Sequence, residues 1–218
     1  MNIVMGTRIV LVILAALLAL PTAQSAPEVA AKGRARTVTR TFSNATPLAL
    51  PTSLASPVSA SLYPSEIAVG GLRRGRIRDV NVRLRDLTHT APREVEVLLV
   101  GPDGQFAVLM AGVGGSDDVA GVTVRVNEEA AGPMPVAGEG ALGSGTFTPT
   151  VFVNMAITFN APAPGPTARS ELSDFDSTNP NGTWHLFVQD DSGSVNPGAF
   201  AGGWELEITA KVKAKKRR

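Results

Sequence analysis

Apolar and polar residues alternate along much of the chain from residue 67 onward, which is the pattern of β-strands with one buried face. In the run 80–85, valine and leucine occupy the even positions while asparagine and arginine occupy the odd ones. Comparable runs occupy 94–99, 122–127, 154–159, 183–189 and 204–209. No window of a dozen residues has the period of an amphipathic helix, because glycine or proline interrupts each candidate. The pattern therefore predicts strands and no helices.

Both tryptophans lie in the clearest alternating runs, each just after a glycine-containing turn. Trp184 shares a face with Leu186 and Val188, and Trp204 shares a face with the two apolar residues that follow it in its own run. An indole buries on the order of 200 Å². We therefore predict that Trp184 and Trp204 anchor the core rather than bind a ligand.

Short strands separated by Gly- and Pro-rich turns favour a sandwich of two sheets. One such turn is Gly101-Pro102-Asp103-Gly104, after which residues 106–110 are predicted to return as a hairpin partner. The predicted fold class is all-β: an antiparallel jelly-roll β-sandwich of about eight strands, occupying residues 63–210.

The N-terminal residues have the layout of a secretory signal peptide. Arg8 precedes the apolar run 9–20, Pro21 ends that run, and Ala23-Gln24-Ser25 places small residues before Ala26. Twelve apolar residues span roughly 18 Å as a helix, less than the thickness of the hydrocarbon core. We predict a signal peptide at 1–25, a secreted, extracytoplasmic protein and no transmembrane domain after cleavage; an uncleaved anchor is the alternative.

Basic segments flank the predicted sandwich. Residues 26–62 contain four prolines, many small residues and scattered lysine and arginine, so they are predicted to be a low-complexity basic linker, with a short strand possible at 37–42. Residues 211–218 (KVKAKKRR) form a predicted basic tail with six charges. The tail is either a solvated end or a means of adhesion to an acidic envelope or nucleic acid.

The composition excludes several classes of protein. The chain has no cysteine, so disulfide scaffolds, thiolate metal sites, iron–sulfur clusters and cysteine nucleophiles are ruled out. Its formal net charge of +1 is a near-cancellation of opposite blocks. Residues 60–210 carry nine arginines against eighteen carboxylates, whereas residues 1–59 carry a net charge of +4 and residues 211–218 carry +6. An acidic module therefore lies between two basic ends.

Four segments together resemble the P domain, or Homo B module, of kexin- and furin-like proprotein convertases. The closing strands are Gly182–Asp190 (GTWHLFVQD) and Gly202–Ile208 (GGWELEI), and the upstream pair is Val80–His89 and Glu94–Gly104. The resemblance covers Tyr63 to Ala210, about two thirds of the chain. It implies a jelly-roll sandwich that stabilises a subtilisin-like protease and tunes its response to calcium and pH.

The chain itself has no room for a subtilisin domain. Neither His89 nor His185 has the Gly-Thr context of a subtilisin histidine, and Gly143-Ser144-Gly145-Thr146 lacks the residues that surround a subtilisin serine. We therefore predict no catalytic residues and no enzyme activity of its own. The expected function is to bind or stabilise a partner outside the cytoplasm, either a subtilisin-like protease or an envelope component, with no specific nucleic acid. The alternatives are part of a serine endopeptidase and a carbohydrate-binding sandwich.

Paired carboxylates make Ca²⁺ the one cofactor that the sequence suggests, because calcium takes six to eight oxygen ligands. The first predicted set is Asp117, Asp118, Glu128 and Glu129, which flank one strand. The competing ligands are Glu94, Asp190 and Asp191. Solubilising acidic loops are the other interpretation of the same residues.

Overall fold

The computed structural model of the protein describes residues 35–136, 138–152, 157–165, 171–192 and 196–213. The predicted signal peptide 1–25 and the last five residues of the predicted tail lie outside these ranges. Among the described residues, none of the helices is long and apolar enough to cross a membrane.

The described residues are almost entirely β-structure, as the alternation predicts, with two short 3-10 turns at Pro92–Glu94 and Leu172–Phe175. The strands are β1 (Arg36–Asn44), β2 (Leu48–Leu50), β3 (Val58–Ser59), β4 (Ser65–Val69), β5 (Arg76–His89), β6 (Val95–Val100), β7 (Phe106–Ala111), β8 (Val119–Val126), β9 (Gly145–Phe147), β10 (Thr150–Val151), β11 (Gly182–Asp190), β12 (Gly198–Phe200) and β13 (Trp204–Val212).

These strands form two sheets. In the seven-stranded sheet, β5 is central: it pairs with β13 and β12 along one edge and with β8 along the other, while β1 pairs with β13, β2 with β12 and β9 with β8. In the six-stranded sheet the order is β10-β7-β6-β11-β3, and β4 also pairs with β11.

A β-sandwich is confirmed, with differences in detail from the prediction. Most pairs are antiparallel, but β10 pairs with β7 and β9 pairs with β8 in parallel, so both sheets are mixed. The described residues also contain thirteen strands rather than about eight, because several are only two or three residues long. A jelly-roll connectivity stays a prediction.

The inner faces of the two sheets form one hydrophobic core. Alternate residues of β5 and β13 pack against alternate residues of β6 and β11, and Trp184 and Trp204 are fully buried between them. The prediction that the tryptophans are core anchors is confirmed. Each indole N–H is also bonded: that of Trp184 donates to the carbonyl oxygen of Pro180, and that of Trp204 to Oγ of Ser65, both at 3.0 Å.

The six-stranded sheet is covered on its outer face as well. Ile157 and Phe159 pack with Leu98 and Phe187 in a second, smaller apolar cluster. A strand was predicted at 154–159; residues 157–160 are not in a strand, and 153–156 lie outside the described residues. Because this segment covers the sheet, all six residues of β6 are buried.

The sandwich begins well before residue 63. Residues 36–44 form β1, which pairs with β13 over its whole length, and Leu48 and Leu50 of β2 are buried in the core. The structure therefore corrects the predicted linker 26–62 from Arg36 onward, and it carries β13 beyond residue 210 to Val212. The composition of residues 36–44 does not indicate a strand, because β1 is an edge strand with mostly exposed polar side chains.

Candidate functional site

The end of the sandwich where β5, β6 and β11 meet contains a buried polar cluster, which we define as His89, Glu94, Glu96, Gln189 and Asp190. His89 is the last residue of β5, Glu96 lies in β6, and Gln189 and Asp190 end β11. The most exposed of the five, Glu94, has 8% of its surface accessible. Buried polar groups are costly unless they are hydrogen-bonded, so the bonds inside this cluster decide whether it stabilises the fold.

Within the cluster, His89 and Asp190 join one sheet to the other. Nε2 of His89 lies 3.2 Å from Oδ2 of Asp190, and Nδ1 of His89 accepts a hydrogen bond of 3.0 Å from the backbone N–H of Ala91. The acceptor role of Nδ1 places the ring proton on Nε2, which donates to Asp190. The other carboxylate oxygen, Oδ1, accepts from the backbone N–H of Ser192 at 2.8 Å.

Glycine at position 198 is required for the ring of His89 to fit. A Cβ atom there would lie 2.1 Å from Cδ2 of His89 and 3.0 Å from the carbonyl oxygen of Thr88. Gly198 is in β12, whose residues Ala199 and Phe200 pair with the end of β5. The glycine thus lets β12 pack directly over the imidazole.

Gln189 connects Glu96 to the segment that covers the six-stranded sheet. Its Nε2 donates to Oε2 of Glu96 and to the carbonyl oxygen of Thr158, both at 2.7 Å. Its Oε1 accepts from the backbone N–H of Asn160 at 3.0 Å and from the hydroxyl of Tyr63 at 3.3 Å. One fully buried amide therefore holds the covering segment onto β6 and β11.

Burial makes the carboxylates of this region hard to ionise. Desolvation raises the pKa of Glu96 to about 7, against the opposing hydrogen bond from Gln189. Desolvation also raises the pKa of Asp191 to about 6, and the negative charges of Asp190 and Glu94 add to the effect. The pKa of Asp190 is raised by burial too, although Ser192 and His89 favour its charged form.

A polar groove lies on the outer face of the seven-stranded sheet. It has a volume of about 210 Å³ and crosses β1, β13, β5 and β8. Its polar lining residues are Thr41, Asn81, Arg83, Arg125, Glu205 and Glu207. The alternation of β5 and β13 predicts the outward direction of these side chains, but the groove itself depends on strand register.

Ion pairs line the groove. Nη2 of Arg125 lies 2.7 Å from Oε1 of Glu207, and Nη1 of Arg85 lies 3.0 Å from Oε1 of Glu205. Arg83 is also next to Glu205, with its Nε 3.7 Å from Oε2. Donors and acceptors therefore alternate along the groove.

Asn81 is the unusual residue of the groove, because it is buried and incompletely bonded. Its Nδ2 donates to Oδ2 of Asp79 at 2.8 Å and to Oε1 of Glu207 at 3.3 Å. Its Oδ1 has no hydrogen-bond partner in the described part of the chain. A buried acceptor left unbonded costs about 1–3 kcal/mol. Burial raises the pKa of the neighbouring Asp79 as well, with Glu129 contributing.

The first predicted set of calcium ligands is not brought together. Asp117 and Asp118 precede β8 and Glu128 and Glu129 follow it, so the two doublets lie at opposite ends of an eight-residue strand. Seven strand steps span about 23 Å, whereas calcium–oxygen distances are about 2.3–2.6 Å. Glu128 is also bound to the backbone N–H and the hydroxyl of Ser173.

The competing ligands do lie together. The backbone N–H of Asp191 donates to the carbonyl oxygen of Glu94 at 2.8 Å, and Nδ2 of Asn196 lies 3.3 Å from Oε2 of Glu94. Even so, no group of three or more His, Asp or Glu side chains within the described ranges is arranged to hold a metal ion. Calcium binding stays a prediction.

Sequence reasoning missed the roles of His89 and Gln189. Each is one polar residue at a strand end or on an outward face. Nothing nearby in the sequence indicates that His89 meets Asp190 of the other sheet, or that Gln189 meets Glu96 and the covering segment. His185, the second histidine, lies on the outer face of β11, where its Nε2 is 3.3 Å from Oε1 of Glu66.

Comparison with known proteins adds no identification: no protein-family model matches the chain, and no curated protein matches it either.

Proposed function

We propose that this protein is a secreted, non-catalytic P-domain module that binds and stabilises a protein partner outside the cytoplasm, with a subtilisin-like serine endopeptidase as the first candidate. The β-sandwich architecture and the order of the four motif segments support the proposal. Export depends on the predicted signal peptide at 1–25.

The polar groove is the binding surface in this proposal, and Asn81 is the observation that carries it. A partner donor that enters the groove over the paired strands β5 and β13 would satisfy Oδ1 of Asn81, which the described chain leaves unbonded. The ion pairs of Arg125 with Glu207 and of Arg83 with Glu205 offer charge-assisted hydrogen bonds on either side.

The placement of the histidines favours binding over catalysis. Both ring nitrogens of His89 are hydrogen-bonded and its side chain is inaccessible to solvent, so the ring serves to connect the sheets. His185 contacts Glu66 and stacks on Phe187 at a centroid distance of 6.4 Å.

Complex formation with a secreted subtilisin-like protease tests the proposal. Light scattering on the mixed proteins should give a complex, and the protease should keep its activity longer on heating. Arg83→Gln/Arg125→Gln should weaken the complex on the order of tenfold or more, since two charge-assisted contacts are lost. Arg73→Gln/Arg76→Gln, which removes two exposed charges outside the groove, should leave it unchanged. No complex with any such protease, or equal weakening by both variants, contradicts the proposal.

A peptidase assay on the chain alone separates binding from catalysis. We expect no cleavage of fluorogenic peptides by the pure protein. Cleavage that is lost in either His89→Ala or His185→Ala, in a variant that still folds, would place the protein among the endopeptidases instead.

A further inference from the structure

Eight exposed cations lie at one corner of the seven-stranded sheet, where β1 and β5 begin and β13 ends. We call this set the basic corner. Its members are Arg36, Arg40, Arg73, Arg74, Arg76, Arg78, Lys211 and Lys213. They come from three distant parts of the sequence, and no single segment of the chain predicts their convergence.

Strand register brings the three parts together. Arg36 of β1 pairs with Val212 of β13, and Thr37 pairs with Lys211. Lys211 pairs in turn with Arg76 of β5 on its other side. Neighbouring strands are about 4.8 Å apart, so Thr37, Lys211 and Arg76 form one row across the sheet.

The loop between β4 and β5 extends the basic corner toward β1. Arg73 and Arg74 are in this loop, separated from Arg76 by Gly75 alone. Nη1 of Arg40 lies 3.1 Å from the position that a Cβ atom would occupy on Gly71 of the same loop. The guanidinium of Arg40 therefore lies against the loop that carries the other two arginines.

Most of these cations are not neutralised by the protein. Arg36, Arg40, Arg73, Arg74, Arg76, Lys211 and Lys213 make no ion pair within the described ranges. The exception is Arg78, which is close enough to Asp176 to favour its ionised form. Arg83 and Arg125 of the groove and the neighbouring Arg85, by contrast, each contact a glutamate. The corner thus concentrates unpaired positive charge on a module whose residues 60–210 are acidic in total, with nine arginines against eighteen carboxylates.

The sequence continues the same charge at both ends. Lys32 and Arg34 come just before Arg36, and four further cations, Lys215–Arg218, follow Lys213 after one residue. Since β1 and β13 are antiparallel and in register, both basic segments join the fold at this corner.

We infer that the basic corner binds the surface of a membrane rich in anionic lipid headgroups. Juxtaposed lysines and arginines attract such a surface by roughly 1 kcal/mol each. This choice of partner rests on the proposed export of the chain: the predicted signal peptide at 1–25 takes the protein across a membrane, where an anionic lipid surface is a nearer partner than a nucleic acid. The corner also has no aromatic residue on which a base would stack.

Vesicle sedimentation of the full chain tests this inference. Vesicles of phosphatidylcholine alone measure association that does not depend on charge, including that of the apolar run. Vesicles of equal parts phosphatidylcholine and phosphatidylglycerol should bind more tightly, and the difference should shrink as salt is added. In Arg73→Gln/Arg74→Gln/Arg76→Gln, the affinity for the anionic vesicles should fall by about fivefold per charge, on the order of 100-fold in all.

The matched control is Arg83→Gln/Arg85→Gln/Arg125→Gln, which changes the net charge by the same amount but removes cations that are already ion-paired. It should bind the anionic vesicles within about twofold of the unaltered chain. Equal losses in both variants would show that net charge, not the corner, governs binding, and would overturn the inference. So would equal binding to neutral and anionic vesicles, or tighter binding to a short DNA duplex at the same concentration of negative charge.

Discussion

The imidazole of His89 and the carboxylate of Asp190 are 101 residues apart in sequence and meet across the sandwich, with Nε2 3.2 Å from Oδ2. Both side chains are almost completely buried. Because β5 belongs to one sheet and β11 to the other, this hydrogen bond joins the two sheets at the end that contains the buried polar cluster.

Removing the carboxylate of Asp190 should destabilise the protein strongly. Asp190→Ala leaves Nε2–H of His89 and the backbone N–H of Ser192 without their acceptor, and each donor that loses a buried acceptor costs about 1–3 kcal/mol. Asp190→Asn keeps one acceptor oxygen and should cost less, about 1–2 kcal/mol. Urea unfolding measures both. Asp117→Ala, at an exposed aspartate, is the control and should change the free energy of unfolding by less than about 0.5 kcal/mol.

Close packing of β12 over His89 gives a second prediction. Gly198→Ala places a methyl group where the imidazole already lies, so one strand must shift, at a cost of about 1–3 kcal/mol. Gly143→Ala is the matched control, because nothing lies within 4 Å of its Cβ position. Gly143→Ala should leave the melting temperature unchanged or raise it slightly. Thermal unfolding of the two variants side by side checks this, and equal melting temperatures would contradict the packing argument.

The short-range pattern predicted much of the fold and little of the candidate site. Alternation places Val82 and Leu206 inside and Arg83 and Glu205 outside, because the face of a strand residue depends only on its neighbours in sequence. Leu98 and Phe187 are buried although alternation predicts that they face outward. The segment that contains Ile157 and Phe159 packs over them, and Tyr63 packs against Phe187 as well.

The sequence alone does not predict which distant segments of the chain pair with each other. The register of β1 against β13 determines both the edge of the sandwich and the basic corner, and it depends on contacts about 170 residues apart. The same holds for His89 with Asp190. Neither residue differs, within its own strand, from an ordinary polar position near a turn.

The raised pKa of buried Glu96 should make the free energy of unfolding depend on pH. Its pKa in the folded protein is about 7, above the ordinary value of 4.5, so the folded state holds the proton more tightly than the unfolded state. The contribution of Glu96 to the free energy of unfolding is therefore fully present below pH 4.5. That contribution is lost as the pH rises from 4.5 through 7. Asp191, with a pKa of about 6, acts in the same direction between its ordinary value of 3.8 and pH 6.

Glu96→Gln mimics the protonated side chain and tests this sign. At pH 8 the variant should be more stable than the unaltered protein by about 1–3 kcal/mol, and near pH 4 the two should unfold at the same urea concentration. Glu139→Gln is the matched control, because it makes the same substitution at an exposed glutamate. A pH dependence unchanged by Glu96→Gln would show that the carboxylate is solvated in the folded state.

The two predicted sets of calcium ligands lie in different parts of the structure, so variants of each set can distinguish between them. Because β8 holds Asp117 and Asp118 away from Glu128 and Glu129, a calcium-dependent rise in melting temperature should survive Asp117→Asn/Asp118→Asn. The same rise should be lost in Asp191→Asn, since Asp191 lies with Asp190 and Glu94. Differential scanning fluorimetry measures the melting temperature of each variant, first with calcium and then with a chelator. No shift in the unaltered protein at millimolar calcium would end the calcium hypothesis.

Ser65 and Trp204 provide the last prediction, in the core. Nε1–H of Trp204 donates to Oγ of Ser65 at 3.0 Å, where both residues are buried. Ser65→Ala leaves the indole N–H without an acceptor and should cost about 1–3 kcal/mol. In the background of Trp204→Phe, which removes the donor, the same substitution should cost much less. A double-mutant cycle from urea unfolding isolates this coupling. Since Oγ of Ser65 also accepts from Nδ2 of Asn44 at 3.3 Å, a small residual cost in the Phe background is expected, and equal costs in both backgrounds would show that the indole bond contributes nothing.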